Sequence, residues 1–402
     1  MIHLHVWLRP PVGEPILAGE IVVADPDTAR GGRVRGEFRY TRSFIETPGA
    51  YALDPRHLPL GPDSIAATDP ATGLHAVFED SLPDAWGRAM LCQRYQLSRA
   101  RRRAPDLLAL IGAEALGALA YTPTPEWVEV SEPARLPDLK QLLEASERFE
   151  RDPDAPMDEL MRLFKAGSSP GGARPKVLVE DAKSWLAKFP SIRDTFDMVR
   201  IEAATLATAR LAGIEVPEFQ VVELGARSAL LVKRFDVTAE GGRNHIISMK
   251  SLLAAGDYYF LGYADMADTV RIVSDRPRHD LQMLYRQAVF NALVANTDDH
   301  LKNFSMMRDR HGWHLTPAYD LMPDTANNRE HVLHFGTVGN TPTLSSLNLL
   351  GRQFGIAAGA VKNIMNEVRE AVEQFPRIGD EYGVPAKEID TLVARMRLPG
   401  PG

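Results

Sequence analysis

The apolar residues of this chain change their period from one end to the other, and that change bounds the folds open to it. At the start Ile2, Leu4, Val6 and Leu8 alternate with His3, His5 and Trp7, the two-residue period of a strand. GEIVVAD and GEFRYTRSF continue in the same way across Gly- and Pro-containing turns, so a small β-rich unit opens the chain. In VFEDSLPDAWGRAMLCQRYQL the pattern becomes helical, with Asp84 placed as the N-cap. LLALIGAEALGALAY, Leu107 to Tyr121, ends this first domain. A Pro- and Glu-rich connection leads to the helical LKQLLEASERFE, then to the strand-like KVLVE and SWLAKF. A helix follows from about Met198 to Ala212, closed by Gly213, and FQVVEL and ALLVKRFDV are two more strands.

Beyond Asp236 the pattern is mainly helical. Leu284, Ala288, Val289 and Ala292 share one helical face. A last long helix is expected to bury Val361, Ile364, Met365, Val368, Val372 and Phe375. The class is therefore α+β, divided into residues 1–124, 125–236 and 237–398.

The 402 residues suffice for two to three domains, and the net charge of −7 argues against a general nucleic-acid binder. A single cysteine, Cys92, excludes an internal disulfide framework and a cysteine-rich zinc site, and it suits a reducing compartment. MIHLHVWLRP lacks the basic and apolar regions of a signal peptide, and no apolar run approaches the roughly 18 residues of a membrane span. A cytoplasmic protein without membrane contact is the expectation.

The chemistry concentrates in NTDDHLKNF, Asn296 to Phe304. Asp298 and Asn303 stand in the D-x-x-x-x-N spacing of a kinase catalytic loop. There an Asp receives or orients the hydroxyl proton, and an Asn offers a neutral oxygen to Mg²⁺, a hard cation. Alone this spacing recurs by chance. FSMMRDRHGWHLTPAYDLMPD strengthens it, reading as strand, turn at Asp309 to Gly312, second strand and a loop bearing Asp320. Such a hairpin returns Asp320 beside Asn303, where a kinase carries its second metal-binding Asp.

Lys188 ends a strand and precedes the helix containing Glu202, the order that forms a kinase Lys–Glu pair. Either could instead be a surface charge. GSSPGGARPK, Gly167 to Lys176, has the small residues of a phosphate loop, although it is no Walker A motif and also reads as a plain turn. His300, His311 and His314 could be drawn into a metal cluster, but His311 and His314 flank a turn and no H-E-x-x-H motif exists. SRARRRAP, Ser98 to Pro105, reads as a solvated helix end or as a contact for DNA phosphates or an acidic partner.

Taken in order, VFEDSLPDAWGR, LGALAY, SSPGGARPK, WLAKFP, LLVKRFD, and NTDDHLKNFS with LTPAYDLMPD resemble segments of the HipA family of serine/threonine kinases, toxins of HipB–HipA-type toxin–antitoxin modules. Six matches in order over about 250 residues make the resemblance specific. It implies a two-lobed, protein-kinase-like fold with a β-rich N-terminal subdomain and a helix-rich C-terminal lobe. It further implies an ATP- and Mg²⁺-dependent kinase with Asp298 as catalytic base and Asn303 and Asp320 as metal ligands.

Lys188 would hold the nucleotide phosphates, with Ser169, Gly171, Gly172, Ala173 and Lys176 of the phosphate loop and with His300 and Lys302 beside them. The backbone from Lys233 to Phe235 would meet the adenine. In the family a serine of the phosphate loop is autophosphorylated, which ejects the loop. Ser169 holds that position, with Ser168 the alternative. The added charge of about −1.5 to −2 is hard to keep in a loop shaped for anionic phosphates.

Two departures stand out. Lys233 replaces the family's common Glu before Arg-Phe-Asp, and Pro170 follows Ser169. The implied partners are a HipB-like helix-turn-helix antitoxin, DNA mainly through that antitoxin, and a protein substrate, which in known members is often an aminoacyl-tRNA synthetase. Two other readings remain open: a HipA-like kinase outside a toxin module, and a catalytically weak binding component of a repressor complex.

Overall fold

Alternation in the first eight residues is realised as β1 (Ile2–Leu8), which buries Leu4 and Val6 completely. The computed structural model describes residues 1–27, 29, 31–128, 134–135, 138–152, 174–256 and 260–396. The chain divides into two units, Met1–Ile192 with Lys233–Ile247, and Arg193–Val232 with Ser248–Gly402.

In the first unit β1 pairs antiparallel with β2 (Ile16–Val23), β2 with β3 (Gly36–Tyr40) and β3 with the short β4 (Ile65–Ala66). β5 (Leu119–Thr122) closes the other side of β1, so the order is β4-β3-β2-β1-β5. A one-residue irregularity between Val6 and Trp7 shifts the β1–β2 register. Phe38 packs edge-on to Tyr40 and tilted against Phe78, with ring centroids 4.7 and 5.0 Å apart. Gly19 makes room for it, since a Cβ there would lie 2.4 Å from the Phe38 ring.

Asp84 caps the helix Ala85–Arg94 as expected, its carboxylate accepting from the Gly87 amide at 3.1 Å. The basic run becomes a short exposed turn, Arg99–Arg101, ahead of the helix Ala104–Ile111. Arg102 and Arg103 are spent locally, on the Leu97 carbonyl at 3.0 Å and the Asp106 carboxylate at 2.8 Å. The helix Leu139–Arg151 buries Leu142, Leu143 and Phe149, and Phe149 meets Trp86 edge-on. β6 (Ala134–Arg135) runs parallel to β7 (Lys176–Glu180), and β7 pairs antiparallel with β8 (Ser184–Lys188).

The second unit is mostly helical. Its helix Met198–Leu211 is capped by Asp197, and a hairpin of β9 (Phe219–Leu224) and β10 (Arg227–Lys233) follows. At its centre lies Pro277–Val294. Leu284, Ala288, Val289 and Ala292 are buried as their spacing predicts, but so are Tyr285, Gln287, Phe290 and Asn291. A helix buried on nearly every side shows little amphipathic signal.

The helix Ala358–Val372 buries Val361, Ile364, Val368 and Val372, while Met365 is half-buried. Phe375 is also buried but opens a separate helix, Phe375–Glu381, with Pro376 in its first turn where proline is tolerated. A further helix, Ala386–Arg395, completes a core of Ile201, Phe375, Ile378, Ile389 and Leu392. Gly351 admits close packing, because a Cβ there would stand 2.6 Å from Val361 and 2.9 Å from the Tyr285 ring.

Candidate active site

The loop bearing Asp298 begins where the central helix is forced to stop. Ala295 takes a left-handed conformation, φ 56°, and Asn296 folds back with its amide on the Asn291 carbonyl at 2.9 Å. Its side-chain amide reaches the Asn291 Oδ1 at 3.1 Å. Asp298 then projects into solvent, its side chain 84% exposed, with His300 Nε2 3.9 Å away. A short 3-10 turn, Leu301–Asn303, follows. Within it the Asn303 Nδ2 donates to the Asp298 carbonyl at 2.9 Å, which leaves the Asn303 side-chain oxygen as its acceptor end.

Asp299, next to the exposed Asp298, is completely buried. It accepts from the Tyr263 hydroxyl at 2.7 Å and from the Val332 and Leu333 amides at 2.9 and 3.3 Å, and a His331 ring nitrogen stands at 3.1 Å. Asn291 donates to the same Tyr263 oxygen at 3.0 Å. Burial, with the Asp299 charge beside it, raises the Tyr263 pKa well above the ordinary phenol value, so the group stays a donor. Alternation of an exposed and a buried carboxylate thus holds the loop by Asp299 and presents Asp298.

The expected hairpin is present as Ser305–Asp309 against Gly312–Leu315, with Asp309 opposite Gly312. It returns the chain beside its starting point. The Thr316 amide donates to the Ser305 carbonyl at 3.0 Å. The Tyr319 hydroxyl lies 2.7 Å from the Ser305 hydroxyl and donates to the Lys302 carbonyl at 2.9 Å. The Asp324 amide reaches the Ala295 carbonyl at 2.8 Å. Asp320 therefore sits in a loop fastened at both ends to the segment carrying Asp298 and Asn303. Its φ of 53° is left-handed, an uncommon conformation for a residue other than glycine that concentrates at functional sites. Lys302 is exposed. His311 is exposed at the turn and His314 half-buried, and among the described residues neither joins His300 in a group spaced to hold a metal.

The first unit holds the other predicted residues. Lys176 and Lys188 are partners directly across the β7–β8 hairpin, and both are buried. Ser168, Ser169, Gly171, Gly172 and Ala173 lie outside the described residues. Glu202 is buried on the helix Met198–Leu211 of the second unit.

Lys233 and Phe235 are half-buried and flank a tight clasp. Asp236 takes two hydrogen bonds from Arg234, at 2.9 and 2.5 Å, and one from the Gly117 amide at 2.9 Å. Burial would raise the Asp236 carboxyl, but Arg234, Arg243 and the Gly117 N–H outweigh it and hold the pKa below the ordinary value. Gly117, at φ 74°, brings its amide there while a Cβ would crowd the Ile246 nitrogen. The Phe235 carbonyl accepts from the Asn244 side chain at 3.3 Å.

Sequence reasoning missed Tyr263, Asn291, Tyr319 and His331 as parts of the site. Tyr319 stood beside Asp320 in view, but its hydrogen bonds cross the hairpin. Tyr263 and His331 are 36 and 32 residues from Asp299, and no local spacing links them.

Against this geometry, the profile of the HipA-like C-terminal domain matches residues 168–375, more than half of the chain, and that of the HipA N-terminal domain matches 23–122. This chain belongs to the HipA family of serine/threonine kinases. Among HipA relatives, Y4dM and Y4mE of Sinorhizobium fredii, both named only as candidate kinases, are 30% and 27% identical over 237 and 417 residues. Those alignments cover 52% and 91% of this chain, and 56% and 96% of the relatives.

The serine/threonine-protein kinase toxin HipA of Shewanella oneidensis is 27% identical over 276 residues, 60% of this chain and 61% of that protein. A solved complex of Shewanella oneidensis HipA with HipB and operator DNA matches the fold with a TM-score of 0.70 at 19% identity, covering 98% of this chain and 96% of that one. The expected HipA membership and the α+β, HipA-like fold are thereby established. No helix among the described residues is long and apolar enough to cross a membrane.

Proposed function

We propose that this HipA-family chain is an ATP- and Mg²⁺-dependent protein serine/threonine kinase that acts as the toxin of a toxin–antitoxin module. One observation carries the reading most: the hairpin and the Tyr319, Thr316 and Asp324 hydrogen bonds fasten the Asp320 loop to the segment of Asp298 and Asn303. Asp298, with its side chain 84% exposed, serves as the base that receives or orients the hydroxyl proton. The Asn303 side-chain oxygen and the Asp320 carboxylate form the oxygen donor set that a hard divalent cation prefers. A bound Mg²⁺ would neutralise charge on the nucleotide phosphates.

In this reading Lys188 holds the phosphates. The two buried lysines of the β7–β8 pair place positive charge together, which suits a polyanion. Lys176, with Ser169, Gly171, Gly172 and Ala173, forms the phosphate loop, and His300 and Lys302 support the transferred phosphate. The backbone at Lys233 to Phe235 meets the adenine, with the Asp236 clasp keeping that segment in place. Phosphorylation of Ser169, or of Ser168, expels the loop and switches the kinase off. Residues 1–124, 125–236 and 237–398 act as N-terminal subdomain, N-lobe and C-lobe. The partners are a HipB-like antitoxin, through it operator DNA, and a cytoplasmic protein substrate such as an aminoacyl-tRNA synthetase.

Purified protein given labelled ATP and Mg²⁺ is expected to incorporate phosphate, mapped by mass spectrometry to Ser169. Asp298→Asn should lower the rate by about 10²- to 10⁴-fold, the usual worth of a general base. Undiminished incorporation in that variant would remove Asp298 from the role. Phosphate found only outside Gly167–Lys176 would end the loop-ejection reading.

A further inference from the structure

The polar face of the first sheet gathers a second constellation, unrelated to the kinase site. Alternation places His3 and His5 on one face of β1, about 6.8 Å apart along the strand. The β1–β2 register sets Glu20 directly opposite His5. One donor atom from each of the three lies within 4.8 Å of the other two. The His3 Nε2 stands 3.4 Å from a Glu20 oxygen, and the two imidazole rings are 4.8 Å apart. His5 is paired with Glu20 of β2 on one side and with Thr122 of β5 on the other, Glu20 is paired in turn with Arg39 of β3, and His3 is paired with Val22 of β2, so ladders hold the backbone at all three positions.

His5 supplies an independent reason to look for a ligand. It is 6% exposed, and its Nδ1 is buried without a hydrogen-bond partner among the described residues. Leaving such a group unsatisfied is costly, and a coordinate bond to a cation satisfies an imidazole nitrogen.

We propose that His3, His5 and Glu20 bind one borderline divalent transition-metal ion of the zinc class. Two imidazoles and a carboxylate match three-protein-ligand zinc sites, in which water takes the fourth place. Imidazole nitrogen disfavours Mg²⁺ and Ca²⁺, which seek oxygen. Tetrahedral donors at zinc distances stand roughly 3.3 Å apart, so the three atoms must close further. His3 and Glu20, with side chains 49% and 32% exposed, have the freedom to do so. The Arg39 guanidinium, 3.8 Å from the same Glu20 oxygen and 61% exposed, competes with the ion. An exposed ion pair of that kind is weak, and a dication displaces it. The bound ion clamps β1 to β2 at the start of the chain.

The test uses the full chain without a histidine tag, stripped with chelator and titrated with Zn²⁺ by calorimetry under excess Mg²⁺, which occupies hard-oxygen sites. One equivalent of Zn²⁺ is expected, and Co²⁺ in its place should give the visible bands of a tetrahedral, imidazole-ligated ion. His3→Ala and Glu20→Gln, at partly exposed positions where folding is preserved, should each weaken binding by at least the roughly 10- to 100-fold that even outer-shell losses cost. Arg39→Ala should bind more tightly. Absence of Zn²⁺ binding in the natural chain, or unchanged binding in both His3→Ala and Glu20→Gln, overturns the site. The result is independent of whether the chain phosphorylates anything.

Discussion

His75 illustrates how one buried side chain ties stability to pH. It sits against Phe38 and Phe78, with its Nε2 buried and without a hydrogen-bond partner among the described residues. Burial chiefly, with the nearby His57, lowers its pKa from 6.5 to about 4, against the raising effect of a hydrogen bond to Ala66. The folded chain therefore keeps His75 neutral where the unfolded chain protonates it. Its contribution is fully present above pH 6.5 and is lost as pH falls towards 4. The whole shift corresponds to about 3 kcal/mol at most. Unfolding free energies measured from pH 7 to 4 should fall less steeply in His75→Gln than in the natural chain. Parallel profiles for the two proteins would contradict this account.

At the scale of an element, the loop Asn296 to Asn303 behaves as a strap with a buried rivet. Asp299 is the rivet, and its partners come from the helix Tyr263–Val273 and from the segment His331 to Leu333. In Asp299→Asn one acceptor oxygen becomes a donor facing other donors. Each hydrogen bond to a charged group is worth about 1.5 to 3 kcal/mol, so local opening should become easier by at least that amount. Hydrogen exchange is the direct measure: the Val332 and Leu333 amides, and those of the loop, should exchange faster while the β1–β2 ladder is unchanged. Equal protection in both proteins would show that Asp299 does not hold the loop.

The hairpin between Asp298 and Asp320 was legible in the sequence because turn residues and strand alternation are local properties. The rivet was not, because its donors are remote in the chain. A similar split separates the central helix, whose existence was legible, from its burial on nearly all sides, which was not. Phe375 kept its predicted burial but changed helix, since Pro376 favours a new first turn over continuation.

For the whole molecule, the proposed toxin role makes a prediction that no single contact can. Cells expressing the natural chain without a cognate antitoxin should stop growing, whereas cells expressing Asp298→Asn should grow normally at equal protein level. Equal growth would leave a kinase working outside a toxin module, and co-expression with a helix-turn-helix protein encoded in the neighbouring frame would then bring no relief.

The α+β class and the order of the candidate segments followed from residue types and spacings, and short motifs carried the resemblance to the HipA family, because strand alternation, helix caps, turns and motifs are written within a few residues of one another. The pairing of Lys176 with Lys188, the Gly117–Asp236 clasp, the Asp299 network and the gathering of His3, His5 and Glu20 came from folding. Each depends on strand register or on hydrogen bonds between distant segments, and register is set by which faces must be buried together.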